Sequence, residues 1–314
     1  MNKISFVFPG QGSQVVGMGK ELYEKYDVAK ALFKEADEAL GFSIKKMCFD
    51  GPEEDLRKTF NTQPAILTVS VICSEILKQH GIEPQITAGH SLGEYSALVA
   101  AGSLKFADAV YLVHRRGIFM QEAVPLGEGG MAAILGLDRA MIIAECEKIS
   151  ADGDLVQAVN FNCPGQVVIA GTTQGVDKAC VALKTAGARR TVVLPVSAPF
   201  HCSLMQPASQ RLAEELAKVT IADAKIPVVA NVTGKIITAG DAIKESLVAQ
   251  AASPVKWEDC VEEMVNFGAN LFIEAGPGKV LNGFNKKINK ELTNFNVENI
   301  ESLEKTLDYF KEVR

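Results

Sequence analysis

The sequence lacks the features that mark several large classes of protein. Its 314 residues contain no run of the ~20 apolar residues that a membrane-spanning helix needs. The seven cysteines are scattered and form no C-x-x-C pair, which disfavours both a zinc site and a disulfide framework. The net charge of −6, from 32 basic and 38 acidic residues, disfavours general nucleic-acid binding. We therefore expect a cytoplasmic protein with free thiols, no metal, no membrane contact and no nucleic-acid partner.

What is present is typical of a globular protein. The apolar and charged fractions, 47% and 22%, are those of an ordinary folded chain. The short apolar stretch at the N-terminus ends at Pro9-Gly10, which favours a buried first strand over a signal peptide. The length suggests about two domains, or one domain with an insertion.

Strand-like and helix-like segments alternate along the chain, which predicts an α/β fold with a mostly parallel sheet. Residues 127–196 differ, because their pattern predicts the order β-α-β-β-α-β of a ferredoxin-like unit. Glycines and prolines mark the two ends of this segment. We therefore expect a large domain made of residues 1–126 and 197–314, interrupted by a small domain over 127–196. Helices are expected over 64–80, 106–123 and 203–218, and a strand over 86–89. The last strand is expected at 270–274, followed only by helices.

The clearest chemical motif is Gly89-His90-Ser91-Leu92-Gly93, which fits the G-x-S-x-G pattern of a nucleophile elbow. A predicted strand precedes it and a predicted helix follows it. A sharp turn between them would expose the Ser91 hydroxyl, and the backbone N–H of Leu92 would face a developing oxyanion. The motif predicts that Ser91 is a nucleophile, with a simple helix-capping serine as the alternative.

A serine nucleophile needs a base, and the chain offers four histidines. His80 ends an apolar helix, and His114 lies within another helix. His90 adjoins the serine and is expected to point away from it, as neighbours do in an extended strand. His201 lies in a proline-bounded loop before a helix, and catalytic groups are concentrated on such loops. We therefore predict that His201 is the general base.

Two glycine-rich stretches only partly match nucleotide-binding patterns. Residues 10–15 have a valine at the third glycine position of the dinucleotide fingerprint. Residues 273–280 lack the first glycine and the final serine or threonine of a phosphate loop. A glycine-rich strand end that offers backbone N–H groups to an oxyanion agrees better with the serine motif.

Seven segments occur in an order that resembles one known family. They read FPGQGSQ at 8–14, GHSLGEYSAL at 89–98, RGIFMQ at 116–121, NFNCPGQ at 160–166, FH at 200–201, SPVKW at 253–257 and GPG at 276–278. Together they resemble the malonyl-CoA:acyl carrier protein transacylases of type II fatty acid synthesis, over nearly the whole chain.

The resemblance implies a role for each matching residue. The nucleophile of the family falls on Ser91 and its base on His201. The main-chain carbonyl of Gln250, in place of an aspartate, would orient the base. The oxyanion donors fall on the backbone N–H groups of Gln11 and Leu92.

The resemblance also implies a substrate and a reaction. Arg116 falls at the position of the arginine that binds the free malonyl carboxylate. The implied activity moves the malonyl group from malonyl-CoA to the phosphopantetheine thiol of acyl carrier protein, through a malonyl-serine and without a cofactor. The implied fold is a hydrolase-like α/β domain with an inserted ferredoxin-like domain. We expect a monomer.

The main alternative is a serine esterase or thioesterase of the α/β-hydrolase class. Such enzymes carry an acidic residue between the serine and the histidine in sequence order. Here the predicted small domain takes up most of that interval, which leaves little room for an acid-bearing strand. A non-catalytic binding protein is a more distant alternative, since it would make the pairing of Ser91 and His201 accidental.

An acidic carrier protein would have to dock on local basic residues, because this chain is acidic overall. The candidates are Lys184, Arg189, Arg190, Lys286, Lys287 and Lys290.

Overall fold

The computed structural model describes residues 3–196 and 198–313. None of the helices in these two ranges is long and apolar enough to cross a membrane. The predicted domain boundary at residue 197 falls on Ser197, which lies outside the described residues.

Ten strands lie within the described ranges. They are β1 (Lys3–Phe8), β2 (Ile86–Gly89), β3 (Gly129–Leu135), β4 (Val156–Cys163), β5 (Gln166–Thr172), β6 (Arg190–Val193), β7 (Val228–Ala230), β8 (Lys235–Ile237), β9 (Ala269–Ala275) and β10 (Thr293–Val297).

The α-helices of the same ranges lie between these strands, and the last helix follows the last strand. They are α1 (Lys20–Lys25), α2 (Asp27–Leu40), α3 (Ile44–Asp50), α4 (Glu53–Leu56), α5 (Thr59–Gln79), α6 (Gly93–Ala100), α7 (Phe106–Glu122), α8 (Arg139–Ala151), α9 (Thr173–Thr185), α10 (Gln206–Leu216), α11 (Gly240–Gln250), α12 (Trp257–Asn266), α13 (Val280–Ile288) and α14 (Ile300–Val313).

The larger sheet has six strands in the order β10-β9-β1-β2-β7-β8. All neighbours pair in parallel except β7 and β8, which are antiparallel. The predicted α/β fold with a mostly parallel sheet is therefore confirmed. In such sheets ligands bind at the carboxyl ends of the strands. Here β1 and β2 end side by side, with Phe8 paired to Gly89.

The smaller sheet has four antiparallel strands in the order β4-β5-β3-β6. Its elements follow the predicted β-α-β-β-α-β order. One face, with Ala132 and Ile134, packs with α8 and α9 in a separate hydrophobic core. The other face, with Met131 and Val168, joins the main core. The alternation of neighbouring side chains along a strand explains how one sheet serves two cores.

The small sheet is also joined to the larger unit through the backbone. The N–H of Phe161 on β4 donates to the carbonyl of Val255, at 2.9 Å. The N–H of Val255 donates in turn to the carbonyl of Val159, at 2.8 Å. These bonds fix the segment that follows α11, and α11 ends at Gln250.

Helix α5 is buried along almost its whole length and begins at Thr59, earlier than the expected start at Pro64. Proline removes the N–H that would bond the carbonyl of residue 60 in a continuous helix. The Nδ1 of His114 lies 2.8 Å from that carbonyl, on Phe60. The histidine therefore satisfies the carbonyl that the proline leaves free.

Other segments also differ from the sequence-based predictions, among them the strand β8, which was not expected. A strand, β10, follows α13 and pairs with β9, although only helices were expected there. Its five residues alternate polar and apolar side chains too briefly for the pattern to stand out. The helix expected over 203–218 begins as a 3₁₀ turn at Ser203–Met205 and continues as α10 only to Leu216.

Candidate active site

The turn between β2 and α6 carries Ser91 in a left-handed backbone conformation, with φ of 54°. Both glycines of the motif are required by close backbone contacts. A Cβ atom on Gly89 would lie 1.9 Å from the carbonyl carbon of Gly93. A Cβ atom on Gly93 would lie 2.2 Å from the carbonyl oxygen of Phe8. The sequence thus folds into a tight elbow that only glycine permits at these two positions.

Asn231, which follows β7, holds this strained turn in place. Its Oδ1 accepts the N–H of Ser91 at 2.7 Å, and its Nδ2 donates to the carbonyl of Gly89 at 2.7 Å. A non-glycine residue at positive φ costs on the order of 1–3 kcal/mol and persists only when its surroundings enforce it. The paired bonds of Asn231 supply that enforcement.

His201 lies directly opposite the elbow and also has a positive φ, of 66°. Its Nε2 is 2.7 Å from the Oγ of Ser91. Its Nδ1 is 2.9 Å from the main-chain carbonyl oxygen of Gln250. Because a carbonyl can only accept, Nδ1 carries the proton and Nε2 presents its lone pair to the serine hydroxyl. This tautomer is the one that a general base requires.

Burial and the positive charge of Arg116 lower the pKa of His201 from an ordinary 6.5 to about 3. The ring is therefore neutral, and able to accept a proton, throughout the neutral and mildly acidic range. The unfolded chain binds a proton near pH 6.5, whereas the folded chain binds it only near pH 3. Lowering the pH from about 6.5 to about 3 therefore lowers the free energy of unfolding.

We expect the His201 ring nitrogens to show no titration between about pH 5 and pH 8. The measurement is ¹⁵N NMR of the imidazole groups, with the His201 signals assigned by comparison with a His201→Asn variant. A midpoint near 6.5 for these signals would contradict the lowered pKa.

The other histidines have structural partners. His80 follows the last residue of α5, and the Nδ1 of His114 contacts the carbonyl of Phe60. Strand alternation was the reason to expect that His90 points away from the serine, and His90 lines the same cleft as Ser91. The strand ends at Gly89, so strand alternation does not reach residue 91. The Nε2 of His90 is 2.9 Å from the Oδ1 of Asn162.

Arg116, on α7, is only 1% exposed, and its guanidinium contacts the serine. Its Nη2 donates to the Oγ of Ser91 and to the Oε1 of Gln250, each at 3.0 Å. Its Nη1 donates to the Oε1 of Gln63 at 2.8 Å. Among the described residues, its Nε has no hydrogen-bond partner. Within the described ranges, no carboxylate forms an ion pair with this guanidinium, so a buried positive charge faces the cleft with neutral partners only.

The two predicted oxyanion donors lie on adjacent segments. Gln11 belongs to the loop after β1 and lines the cleft beside Ser91. Leu92 directly precedes α6, where the first N–H groups have no partner within the helix. Gly10 allows the two segments to approach, because a Cβ atom there would lie 2.7 Å from the carbonyl oxygen of His90.

Two adjoining clefts meet at this site. The first, of about 110 Å³, contains Ser91, His201 and Arg116. The second, of about 250 Å³, runs between the small sheet and α13 and is lined by Asn162 and Phe284 among others. Four residues line both clefts, namely Gln11, His90, Asn160 and Leu194. A long, thin substrate could therefore pass along the second cleft and place its reactive end in the first.

The sequence-based prediction missed four polar residues of the site: Gln63, Glu94, Asn231 and the side chain of Gln250. All four are buried polar or charged residues. Glu94 follows the motif directly, and its position in a mostly apolar helix is the one local signal that could have drawn attention to it. In the described part of the chain, no three His, Cys, Asp or Glu side chains converge in an arrangement that could hold a metal ion.

Comparison with known proteins identifies relatives over the full length. The family model of the acyl transferase domain matches residues 5–305. The malonyl CoA-acyl carrier protein transacylase of Bacillus subtilis (strain 168) is 51% identical, over 99% of this chain and 98% of that protein.

Solved structures agree with the sequence comparison. A malonyl CoA-acyl carrier protein transacylase from Clostridium perfringens superposes with a TM-score of 0.96 at 45% identity, covering 99% of this chain and 98% of that one. A malonyl-transacylase solved in complex with its type II PKS acyl-carrier protein superposes with a TM-score of 0.95 at 44% identity, covering 98% and 99% of the two chains.

Proposed function

The chain belongs to the acyl transferase domain family, and on that premise we propose that it is a malonyl-CoA:acyl carrier protein transacylase. It transfers the malonyl group from malonyl-CoA to the phosphopantetheine thiol of acyl carrier protein. The observation that carries the proposal is the buried guanidinium of Arg116, 3.0 Å from the Ser91 hydroxyl and without a carboxylate partner in the described ranges. An acyl group that itself ends in a carboxylate supplies the missing anion.

In the first half-reaction, the Oγ of Ser91 attacks the thioester carbonyl of malonyl-CoA while His201 Nε2 takes the hydroxyl proton. The N–H groups of Gln11 and Leu92 bind the tetrahedral oxyanion, and one such donor contributes about 10²- to 10³-fold in rate. The C–S bond then breaks, and His201 returns the proton to the departing thiolate. The products are malonyl-Ser91 and free CoA.

In the second half-reaction, the phosphopantetheine thiol of acyl carrier protein takes the place of CoA. His201 removes the thiol proton, the sulfur attacks the ester carbonyl of malonyl-Ser91, and the proton passes to the serine oxygen as it leaves. The kinetics are ping-pong because CoA departs before the carrier thiol reacts. The cycle is an acyl exchange that needs no cofactor.

The contact of His201 with a main-chain carbonyl favours this proposal over an α/β-hydrolase esterase. Hydrolases of that class orient the histidine with a buried acidic side chain, which also stabilises the imidazolium. Here the Nδ1 of His201 faces the neutral carbonyl of Gln250.

The finer description of the fold is part of the proposal. We propose a hydrolase-like large domain of residues 1–126 and 197–314 and a ferredoxin-like small domain of residues 127–196. The separate hydrophobic core of the small sheet supports this division. The proposed enzyme is a cytoplasmic monomer.

The proposed docking surface for the acidic carrier protein uses basic residues near the second cleft. Arg190 begins β6, and Leu194, just after this strand, lines both clefts. Lys286 and Lys287 lie in the last turn of α13, beyond the cleft residue Phe284. Positive charge on these two elements would attract an acidic partner toward the cleft entrance.

The decisive experiment measures how the acyl-enzyme partitions. Malonyl-CoA is mixed with the protein, CoA is removed, and intact-protein mass spectrometry follows the malonyl adduct with and without carrier protein bearing its phosphopantetheine thiol. We expect the adduct to be lost to the thiol at least about 100-fold faster than to water. Loss to water at an equal rate would identify an esterase, and no adduct with any acyl-CoA would favour a binding protein.

A further inference from the structure

The side chain of Glu94 is a completely buried carboxyl group that takes no part in the proposed mechanism. Its Oε2 accepts two N–H groups, from the backbone of Asn231 at 3.0 Å and from the side chain of Gln250 at 2.8 Å. Its Oε1 is buried and finds no hydrogen-bond partner in the part of the chain that the structure describes. Burial without full hydrogen bonding is costly for an ionised carboxylate, so its presence requires an explanation.

The side chain of Gln250 connects Glu94 to the cleft. Its Nε2 donates to Glu94, and its Oε1 accepts from the Nη2 of Arg116 at 3.0 Å. The amide dipole therefore has its positive end on the carboxylate and its negative end on the guanidinium. This is the orientation that a negative charge on one side and a positive charge on the other both favour.

Glu94 and Arg116 are two buried groups of opposite charge, and the side-chain amide of Gln250 lies between them. Within the described ranges, Arg116 has no direct carboxylate partner, and Glu94 has no direct cationic partner. The other titratable groups that face Glu94 are neutral at neutral pH. They are the Tyr95 hydroxyl on its own helix and the Cys260 thiol on α12, and burial raises the pKa of both.

We propose that Glu94 is the internal counter-ion of Arg116, linked to it through the amide of Gln250, and that it takes up a proton when the malonyl carboxylate binds Arg116. This inference rests on the proposed function. The substrate carboxylate supplies the negative charge that Glu94 supplied in the free enzyme. Two carboxylates would then share one buried cation, and the less solvated carboxylate is neutralised.

The proton comes from solvent and binds at Oε1, because Oε2 is already occupied by two N–H donors. No bond of the acyl transfer forms or breaks with this proton, so both half-reactions proceed without it. Burial already raises the pKa of Glu94 to about 7. A further rise on malonyl binding therefore protonates this carboxylate near neutral pH. The positive charge of Arg116 lowers the pKa of Glu94, and the negative charge of the bound malonyl carboxylate offsets this effect.

The test is the proton balance of acyl-enzyme formation at about pH 7, where the released CoA thiol stays largely protonated. Wild-type protein is mixed with malonyl-CoA or acetyl-CoA in weak buffer containing an indicator dye. The proton uptake is then divided by the acyl-enzyme formed, as counted by mass spectrometry. We expect roughly half a proton per malonyl-enzyme, since a group with a pKa of about 7 is half ionised there. We expect no uptake per acetyl-enzyme.

A variant and a matched control assign the proton. Glu94→Gln is expected to form malonyl-enzyme without proton uptake. Glu274→Gln is the control, because Glu274 is also buried, accepts two backbone N–H groups and has a pKa raised to about 7. Since Glu274 lies outside the network around Arg116, that variant is expected to keep the uptake.

The outcomes separate this inference from the proposed function. A full yield of malonyl-enzyme with no proton uptake would overturn the counter-ion role and leave the transacylase intact. Equal uptake with acetyl-CoA, or uptake that persists in Glu94→Gln, would overturn it as well. Absence of malonyl-enzyme in the wild type would instead refute the proposed function. The comparison of malonyl-CoA with acetyl-CoA needs only wild-type protein, so it stands even where a variant fails to fold.

Discussion

Replacing Ser91 with alanine is expected to abolish the acyl-enzyme and to lower malonyl transfer on the order of 10⁶-fold. The reason lies in the geometry of the elbow. The Oγ of Ser91 is 2.7 Å from the Nε2 of His201 and accepts from Arg116 at 3.0 Å. With that atom removed, the base has no hydroxyl to deprotonate and the malonyl group has no oxygen to which it can bond. The measurement is radiolabel or mass transfer from malonyl-CoA.

Ser103→Ala is the matched control for this experiment. Ser103 is a buried serine whose Oγ donates to the carbonyl of Ala222 at 2.7 Å, and it does not line the cleft with Ser91. We expect this variant to acquire the malonyl group at the wild-type level. A labelled Ser91→Ala protein would disprove the assignment of the nucleophile.

Much of the fold could be predicted from local sequence patterns. Helix α7 was expected over 106–123 and is observed over Phe106–Glu122, and β2 was expected and observed at Ile86–Gly89. These elements have a strong apolar periodicity and clear ends, so neighbouring residues alone determine their type. The strand β10 was missed because it is an edge strand with mostly half-buried residues, which gives little periodic signal.

The same difference between local and long-range structure decides which residues of the candidate site could be predicted. The elbow that carries Ser91 could be predicted because it is a local structure, with both of its glycines two residues from the serine. Asn231 could not, because it lies 140 positions from Ser91 in the chain and meets it only through the pairing of β2 with β7. The Gln250 amide contacts the carbonyl of Ser91 from 159 positions away. Long-range contacts of polar side chains follow from sheet order, which a single sequence does not reveal.

Replacing Arg116 with alanine is expected to lower malonyl transfer about 10²- to 10³-fold while leaving acetyl transfer unchanged or raised. In the wild type, acetyl leaves a buried guanidinium with neutral partners, Gln63 and Gln250, and a free Nε. The malonyl carboxylate instead gains two parallel charge-assisted bonds. Removing the arginine therefore slows transfer only for the substrate that carries a carboxylate. The measured quantity is the ratio of kcat/KM for malonyl-CoA to that for acetyl-CoA.

Arg115→Ala is the matched control, since it removes the same side chain one position earlier on the same helix. Arg115 points away from the cleft, lying 3.6 Å from Glu215 and stacking over the ring of Phe119. Adjacent positions on a helix face different directions, so this variant is expected to keep the malonyl-to-acetyl ratio of the wild type. Equal losses for malonyl and acetyl in Arg116→Ala would mean that the arginine supports the elbow by its bond to Ser91. A loss confined to malonyl would mean that a single buried positive charge, held by two neutral amides, makes the site selective for a dicarboxylic acyl group.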